Sequence, residues 1–130
     1  MTEIPERSCI SRSSRLPSGG RLAALRLAFF APDQDASIWL TGWYPQTLKM
    51  QVASVEGVDP NRYWAAGTAP ILEIIGALDP FHQPDQWGDL RGQLGSRVTS
   101  TVIEDASHAL FPDQPCAVAS AVIDYLPTLT

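Results

Sequence analysis

At 130 residues the chain is long enough for one domain and too short for two independent cores. Hydrophobic residues make up 45% and charged residues 18%, the balance of a globular chain and not of a disordered one. The formal net charge is −5 and Lys49 is the only lysine, which argues against a basic nucleic-acid-binding face and against an anionic membrane surface as partner.

Residues 1–19 are rich in Ser and Arg, hold no hydrophobic period and end at Pro-Ser-Gly, so they read as a loose lead-in. Their composition is like that of a transit peptide, but Glu3 and Glu6 argue against one. In "GRLAALRLAFFAP" (20–32), Leu22, Leu25 and Phe29 follow i, i+3, i+7 among good helix formers, and Pro32 marks the stop. Residues 35–56 read as a second helical region, kinked or split by Gly42 and Pro45. Asp59-Pro60 then opens a short helical turn through Tyr63 and Trp64.

The texture changes at Gly67. "APILEIIGALDPF" carries a short apolar run that fits a strand over 70–76, buried on both faces in the manner of parallel sheets. "PDQWGDLRGQLG" (84–95) predicts a helix with Trp87, Leu90 and Leu94 on one stripe and Gly95 after its end. "RVTSTVIED" (97–105) is β-branched and alternating, a strand. "DQPCAVASAVIDYL" (113–126) closes as a helix with Val118, Val122 and Leu126 on its face. The β-α-β-α order of residues 67–130 signals α/β packing on a parallel sheet, and residues 20–66 form a helical, aromatic-rich segment before it.

Three further observations bound the class. No apolar run approaches the roughly 20 residues that span a bilayer, and the N-terminus lacks the apolar core of a secretory signal. Cys9 and Cys116 are too few and too far apart for a disulfide scaffold, so they are expected as reduced thiols in a cytoplasmic protein. Neither a G-x-G-x-x-G nor a P-loop is present, which leaves a nucleotide-binding domain without its motif. No residue pattern implies a metal or a cofactor.

Catalytic groups of open parallel sheets gather at the carboxyl ends of the strands. Two polar residues fall there: Asp79 just past the first strand, in "GALDPF", and His108 just past the second, in "EDASHALFP". Adjacent parallel strands lie about 4.8 Å apart, so a helical crossover would bring both loops to one edge, within side-chain reach. A carboxylate that accepts from imidazole Nδ1–H fixes the tautomer and leaves Nε2 as a base toward a nucleophile. Ala106, Ser107 and Ala109 keep the turn around His108 small. Asp105 is a rival carboxylate but, three residues from His108, is expected to stabilise the turn. Asp79 also has an ordinary role open to it, as a turn residue before Pro80. His82 is expected at the surface.

These residues carry a resemblance. "APILEIIGALDPF" resembles the penultimate strand and acid of the α/β-hydrolase fold family, "VIEDASHALFPDQP" its last strand and histidine loop, and "AVASAVIDYL" its closing helix. The resemblance covers about residues 68–126, and residues 20–66 more loosely resemble the helical cap that many members carry. It implies a partial α/β-hydrolase sheet, two parallel strands with flanking helices, preceded by a cap-like segment. It also implies His108 as general base, Asp79 as the acid that orients it, and an ester- or amide-like substrate. Trp39, Trp43, Tyr44, Trp64 and Phe81 are candidates to line a substrate pocket, with packing inside the cap segment as the alternative for the four cap residues.

The family's nucleophile sits on a G-x-S-x-G elbow, and no serine of the 130 residues has glycines at both of those spacings. "RLPSGGR" has Leu16 where the first glycine belongs. An acid–histidine pair without an attacking group cannot run acyl transfer, so the sequence reads as a truncated hydrolase with little or no turnover alone. The alternative is a non-catalytic binding or assembly module. A two-stranded sheet is marginal by itself, and an open edge carrying Ile71, Ile74, Val98 and Val102 would recruit another chain or self-associate.

Overall fold

A computed structural model of the chain describes residues 18–59, 63 and 65–129. The expected lead-in up to residue 17, with Cys9, lies outside these residues, as do Trp64 and most of the turn expected to begin at Asp59-Pro60.

Helix α1 (Ser18–Phe29) buries Leu25, Ala28 and Phe29, two members of the expected stripe among them. It ends three residues before Pro32. The cause lies in the distant chain: Phe29 carbonyl accepts the amide of Ala109 at 2.7 Å, and the amide of Ala31 donates to the Asp113 carboxylate at 3.0 Å. Backbone groups that would continue the helix are bonded elsewhere. The second helical region is indeed in two pieces, a 3₁₀ turn over Ala36–Trp39 and helix α2 (Pro45–Val55). Asp35 caps the turn by accepting from the Ser37 amide at 2.9 Å, a bond that holds its carboxyl below the usual range. Gly42 takes a left-handed φ of 84° between the pieces, and Pro45 supplies the first residue of α2.

Strands β1 (Ile71–Gly76) and β2 (Val98–Ile103) pair in parallel, with Ile71 opposite Val98 and Gly76 opposite Ile103. The crossover between them departs from the expected single helix over 84–95. A 3₁₀ turn (Pro84–Gln86) is followed by a short helix α3 (Asp89–Leu94) and a second 3₁₀ turn (Gly95–Arg97). Gly88, at φ 93°, turns the chain between them, and the Trp87 indole N–H donates to the His82 carbonyl at 3.1 Å, so Trp87 anchors the loop and stands outside the helix. The Arg97 guanidinium, donating to the Ala69 carbonyl at 3.2 Å, ties the end of the crossover to the approach to β1.

The closing helix also differs from its expected span of 113–126. It is split into α4 (Leu110–Asp113) and α5 (Pro115–Tyr125) at Gln114 (φ −138°, ψ 63°). Pro115 drives the preceding residue out of the helical region and so breaks the run.

Two apolar clusters result. Ile103, Ala106 and Val118 form one, with Ile74, Leu110, Ala117 and Ala121 packed on it, so α5 covers the sheet. Leu25, Ala28, Phe29, Phe30, Ala36 and Ala109 form the other, flanked by Leu22, Trp39, Leu40, Trp43 and Phe81. Ala109 places the histidine turn inside this second cluster. The first strand is not buried on both faces as expected: Ile71, Leu72, Glu73 and Ile74 are half-buried and only Ile75 and Gly76 are buried, because only two strands are paired. Nor is the apolar edge fully open, since Val98 is buried and Val102 half-buried. Among the described residues no helix is long and apolar enough to cross a membrane.

Candidate functional site

The site forms at the carboxyl edge of the two strands. Past β1, the Ala77 amide donates to the Ile103 carbonyl at 3.0 Å and the Leu78 amide to the Ala106 carbonyl at 2.8 Å, which extends the pairing one step beyond the strands. The chain then turns, with the Asp79 amide donating to the Gly76 carbonyl at 3.1 Å. Asp79 Oδ1 accepts the Phe81 amide at 2.8 Å, the local bond expected of an aspartate in a turn. Its other oxygen is free for a different partner. Oδ2 accepts from His108 Nδ1 at 2.9 Å. Asp79 thus makes the turn bond and the bond to His108 at the same time, one with each oxygen.

Past β2, Asp105 adopts a positive φ of 54°, a conformation aspartate tolerates better than most residues, and its carbonyl accepts from the Gln114 side chain at 3.3 Å. It shapes the turn, as expected, and does not reach His108. Ser107 is buried, with its hydroxyl donating to the Leu78 carbonyl at 3.3 Å. The two loops are in close contact at Gly76, where a Cβ would stand 2.5 Å from the Ser107 carbonyl oxygen and 2.7 Å from that of Ala106. Gly76→Ala is therefore expected to destabilise the chain by about 1–3 kcal/mol, because backbone must move, and to disturb the Asp79–His108 spacing. Urea unfolding of the variant measures the first effect; a change below about 0.5 kcal/mol would contradict it.

The electrostatics follow from the geometry. Burial alone would raise the Asp79 pKa, since its side chain is 11% exposed, but the bonds from His108 and from the Phe81 amide outweigh burial and hold the carboxyl below its usual value. His108 is 47% exposed at its side chain; the Asp79 bond raises its pKa, and partial burial opposes that rise without cancelling it. Nε2 has no hydrogen-bond partner among the described residues. An oriented imidazole with one ring nitrogen bonded to a carboxylate and the other open is suited to accept a proton from a nearby hydroxyl.

Aromatic rings wall the imidazole. Phe81 meets it edge-on at 4.9 Å between centroids, and Phe29 lies at 5.6 Å. Behind Phe29 stand Trp39 at 5.6 Å and Trp43 at 6.5 Å, and the Trp43 indole N–H donates to the Trp39 carbonyl. Of the expected lining residues, Phe81 therefore touches His108, while Trp39 and Trp43 reach it only through Phe29. Tyr44 is 72% exposed and takes no part in the cluster. His82, expected at the surface, is half-buried, with Nε2 3.3 Å from the Gln86 carbonyl.

Three site residues were not legible as such. Phe29 reads as a helix core position, Gly76 as a strand terminator, and Asp113 as a polar residue ahead of a proline. The spacing of Phe29 signalled its burial, but no local signal shows that it faces His108. No cluster of three or more metal-ligating side chains occurs among the described residues.

No protein-family model and no curated protein matches the sequence. A solved structure does match. BpoC from Mycobacterium tuberculosis H37Rv, designated a non-heme bromoperoxidase, superposes with a TM-score of 0.69 at 19% identity, over 96% of this chain and 54% of BpoC. The shared fold is that of an α/β-hydrolase. The chain spans about half the length of BpoC. At this identity the likeness concerns the fold alone, here two parallel strands with their helices.

Proposed function

We propose that this chain carries the acid–histidine portion of a hydrolase-type site. His108 is the general base, Asp79 orients it, and the substrate class is a small molecule with an ester- or amide-like bond. The observation that carries the reading is the 2.9 Å bond from His108 Nδ1 to Asp79 Oδ2 at the carboxyl edge of two parallel strands, with Nε2 open. Phe81 and Phe29 beside the imidazole favour a substrate with an apolar group, with Trp39 and Trp43 backing that wall.

Acyl transfer also needs a nucleophile. Ser107 is buried and bonded to Leu78, and no G-x-S-x-G occurs in the 130 residues. The chemistry at His108 therefore calls for an attacking hydroxyl or thiol from another segment, and the chain by itself is a poor catalyst. In a p-nitrophenyl acetate assay we expect at most weak cleavage, and His108→Ala should remove it. Vigorous turnover that survives His108→Ala would overturn the assignment. Two cysteines, one of them the unpaired and exposed Cys116, support a reducing compartment such as the cytoplasm.

One observation favours a second reading, an assembly module. The sheet has two strands, so each has one side unpaired among the described residues. Helix α5 covers one face of this sheet, but the unpaired sides still offer backbone groups to another strand. Pairing with a strand-bearing partner or a second copy would be seen by size-exclusion chromatography with light scattering. A compact monomer at high concentration would count against it.

A further inference from the structure

Asp113 stands five residues after His108 and is 5% exposed. An aspartate ahead of a helix usually caps it, but Asp113 does not: the residue preceding α5 is Gln114, and its side chain makes no capping bond. The carboxylate points elsewhere. Its Oδ2 accepts two backbone amides, Ser107 at 2.8 Å and Ala31 at 3.0 Å, the latter 82 residues away in sequence. Its Oδ1 is buried and has no hydrogen-bond partner among the described residues.

The two amides it holds are not arbitrary. Ser107 directly precedes His108, and Ala31 lies two residues past Phe29, whose ring packs on the imidazole. On the other side of His108, the Ala109 amide donates to the Phe29 carbonyl at 2.7 Å. The backbone of His108 is thus gripped on both flanks, by Asp113 before it and by Phe29 after it. One buried carboxylate oxygen ties the histidine turn to the chain that carries its aromatic wall. A buried carboxylate is costly to desolvate, and two amides fixed by the fold offset that cost only where the carboxylate sits between them.

We propose that Asp113 is a positioning residue for His108: by holding the Ser107 and Ala31 amides on one oxygen, it sets the backbone from which the imidazole reaches Asp79. The inference rests on the reading of His108 and Asp79 as the working pair. It makes Asp113 neither acid nor base in the reaction, and it requires the acceptor oxygen more than the charge.

That requirement makes the test specific. Asp113→Asn keeps an acceptor oxygen for both amides. Asp113→Leu keeps similar volume and has none. Asp113→Glu keeps the carboxyl but displaces it by one methylene. The measurement is an NMR titration of His108 in the full, isotope-labelled chain, with the Nδ1–H resonance and the amide exchange of Ser107 and Ala31 read alongside. In the wild type, His108 should titrate above the ordinary histidine value of about 6.5 with a visible Nδ1–H. Asp113→Asn should preserve both features and the protection of the two amides. Asp113→Leu should shift the His108 titration downward, lose the Nδ1–H resonance to solvent exchange and deprotect both amides. Where Asp113→Leu fails to fold, Asp113→Glu should show the same downward shift. A merely structural Asp113 would lower the melting temperature and leave the His108 titration unchanged in the folded molecules, which would overturn the proposal while leaving the pair intact. A wild-type His108 that titrates at or below about 6.5 without an Nδ1–H signal would instead remove the pair itself, and the proposed function with it.

Discussion

Phe29→Ala is expected to destabilise the chain by about 3–5 kcal/mol, the largest effect of any single truncation at the site. The ring is 9% exposed and lies within 6.5 Å, centroid to centroid, of Trp39, Trp43, Phe81 and His108. Removing it takes out the centre of the cluster that joins α1 to the histidine turn, and the rings around it are too stiff to close the void fully. Small domains have about 5–15 kcal/mol in total, so the melting temperature should fall by about 10–20 °C. Phe29→Leu fills much of the space and should cost much less, about 1 kcal/mol. Urea unfolding followed by tryptophan fluorescence reads both variants, because Trp39 and Trp43 are reporters inside the cluster. A cost for Phe29→Ala below about 1 kcal/mol would show that the cluster does not hold the turn.

Asp79→Asn is expected to have the largest effect on chemistry. An amide at this position offers an N–H toward Nδ1 and favours the wrong imidazole tautomer, which in a serine–histidine–aspartate site costs about 10⁴ in kcat. Wherever a nucleophile acts through His108, a loss of that order is expected. In the chain itself the effect is visible without turnover. The folded pKa of His108 is raised by Asp79, so its contribution to stability is fully present below the unfolded value of about 6.5 and is lost as pH rises through the folded value. The folded pKa of Asp79 is lowered, so its contribution is present above the unfolded value of about 3.8 and is lost as pH falls through the folded value. The pair therefore stabilises most between about pH 3.8 and 6.5. Asp79→Asn should remove that pH dependence and bring the His108 titration down. Because the His108 side chain is 47% exposed, solvent screens the pair and the stability change will be modest beside that of Phe29→Ala. An unchanged His108 titration in Asp79→Asn would mean that the carboxylate does not control the imidazole in solution.

The fold class and the two strands were readable because their signals are local. A β-branched run such as "VTSTVI" and an apolar run such as "ILEII" declare themselves in a few residues. Parallel order followed from the intervening helical stretch, and the strand ends then placed Asp79 and His108 on one edge. The helix limits were less legible. α1 ends at Phe29 because its carbonyl is taken by Ala109, a residue 80 positions away, and nothing near Phe29 announces that bond. The crossover broke at Gly88, where a glycine inside a periodic pattern was compatible with a continuous helix until the φ of 93° was known. The closing helix broke at Gln114, which the following Pro115 did signal.

The sequence by itself determined a parallel α/β arrangement and the chemical types at its carboxyl edge, one carboxylate and one imidazole, because alternation, apolar runs and strand-end position are properties of neighbouring residues. Tertiary structure alone decided that Asp79 Oδ2 meets His108 Nδ1, that Phe29 and Phe81 flank the ring while Tyr44 stays in solvent, and that Asp113 grips the amide before His108. Each of these depends on packing between segments distant in the chain, where the choice of partner is set by burial and by the need to satisfy every enclosed backbone group, and neither is written in any short window of residues.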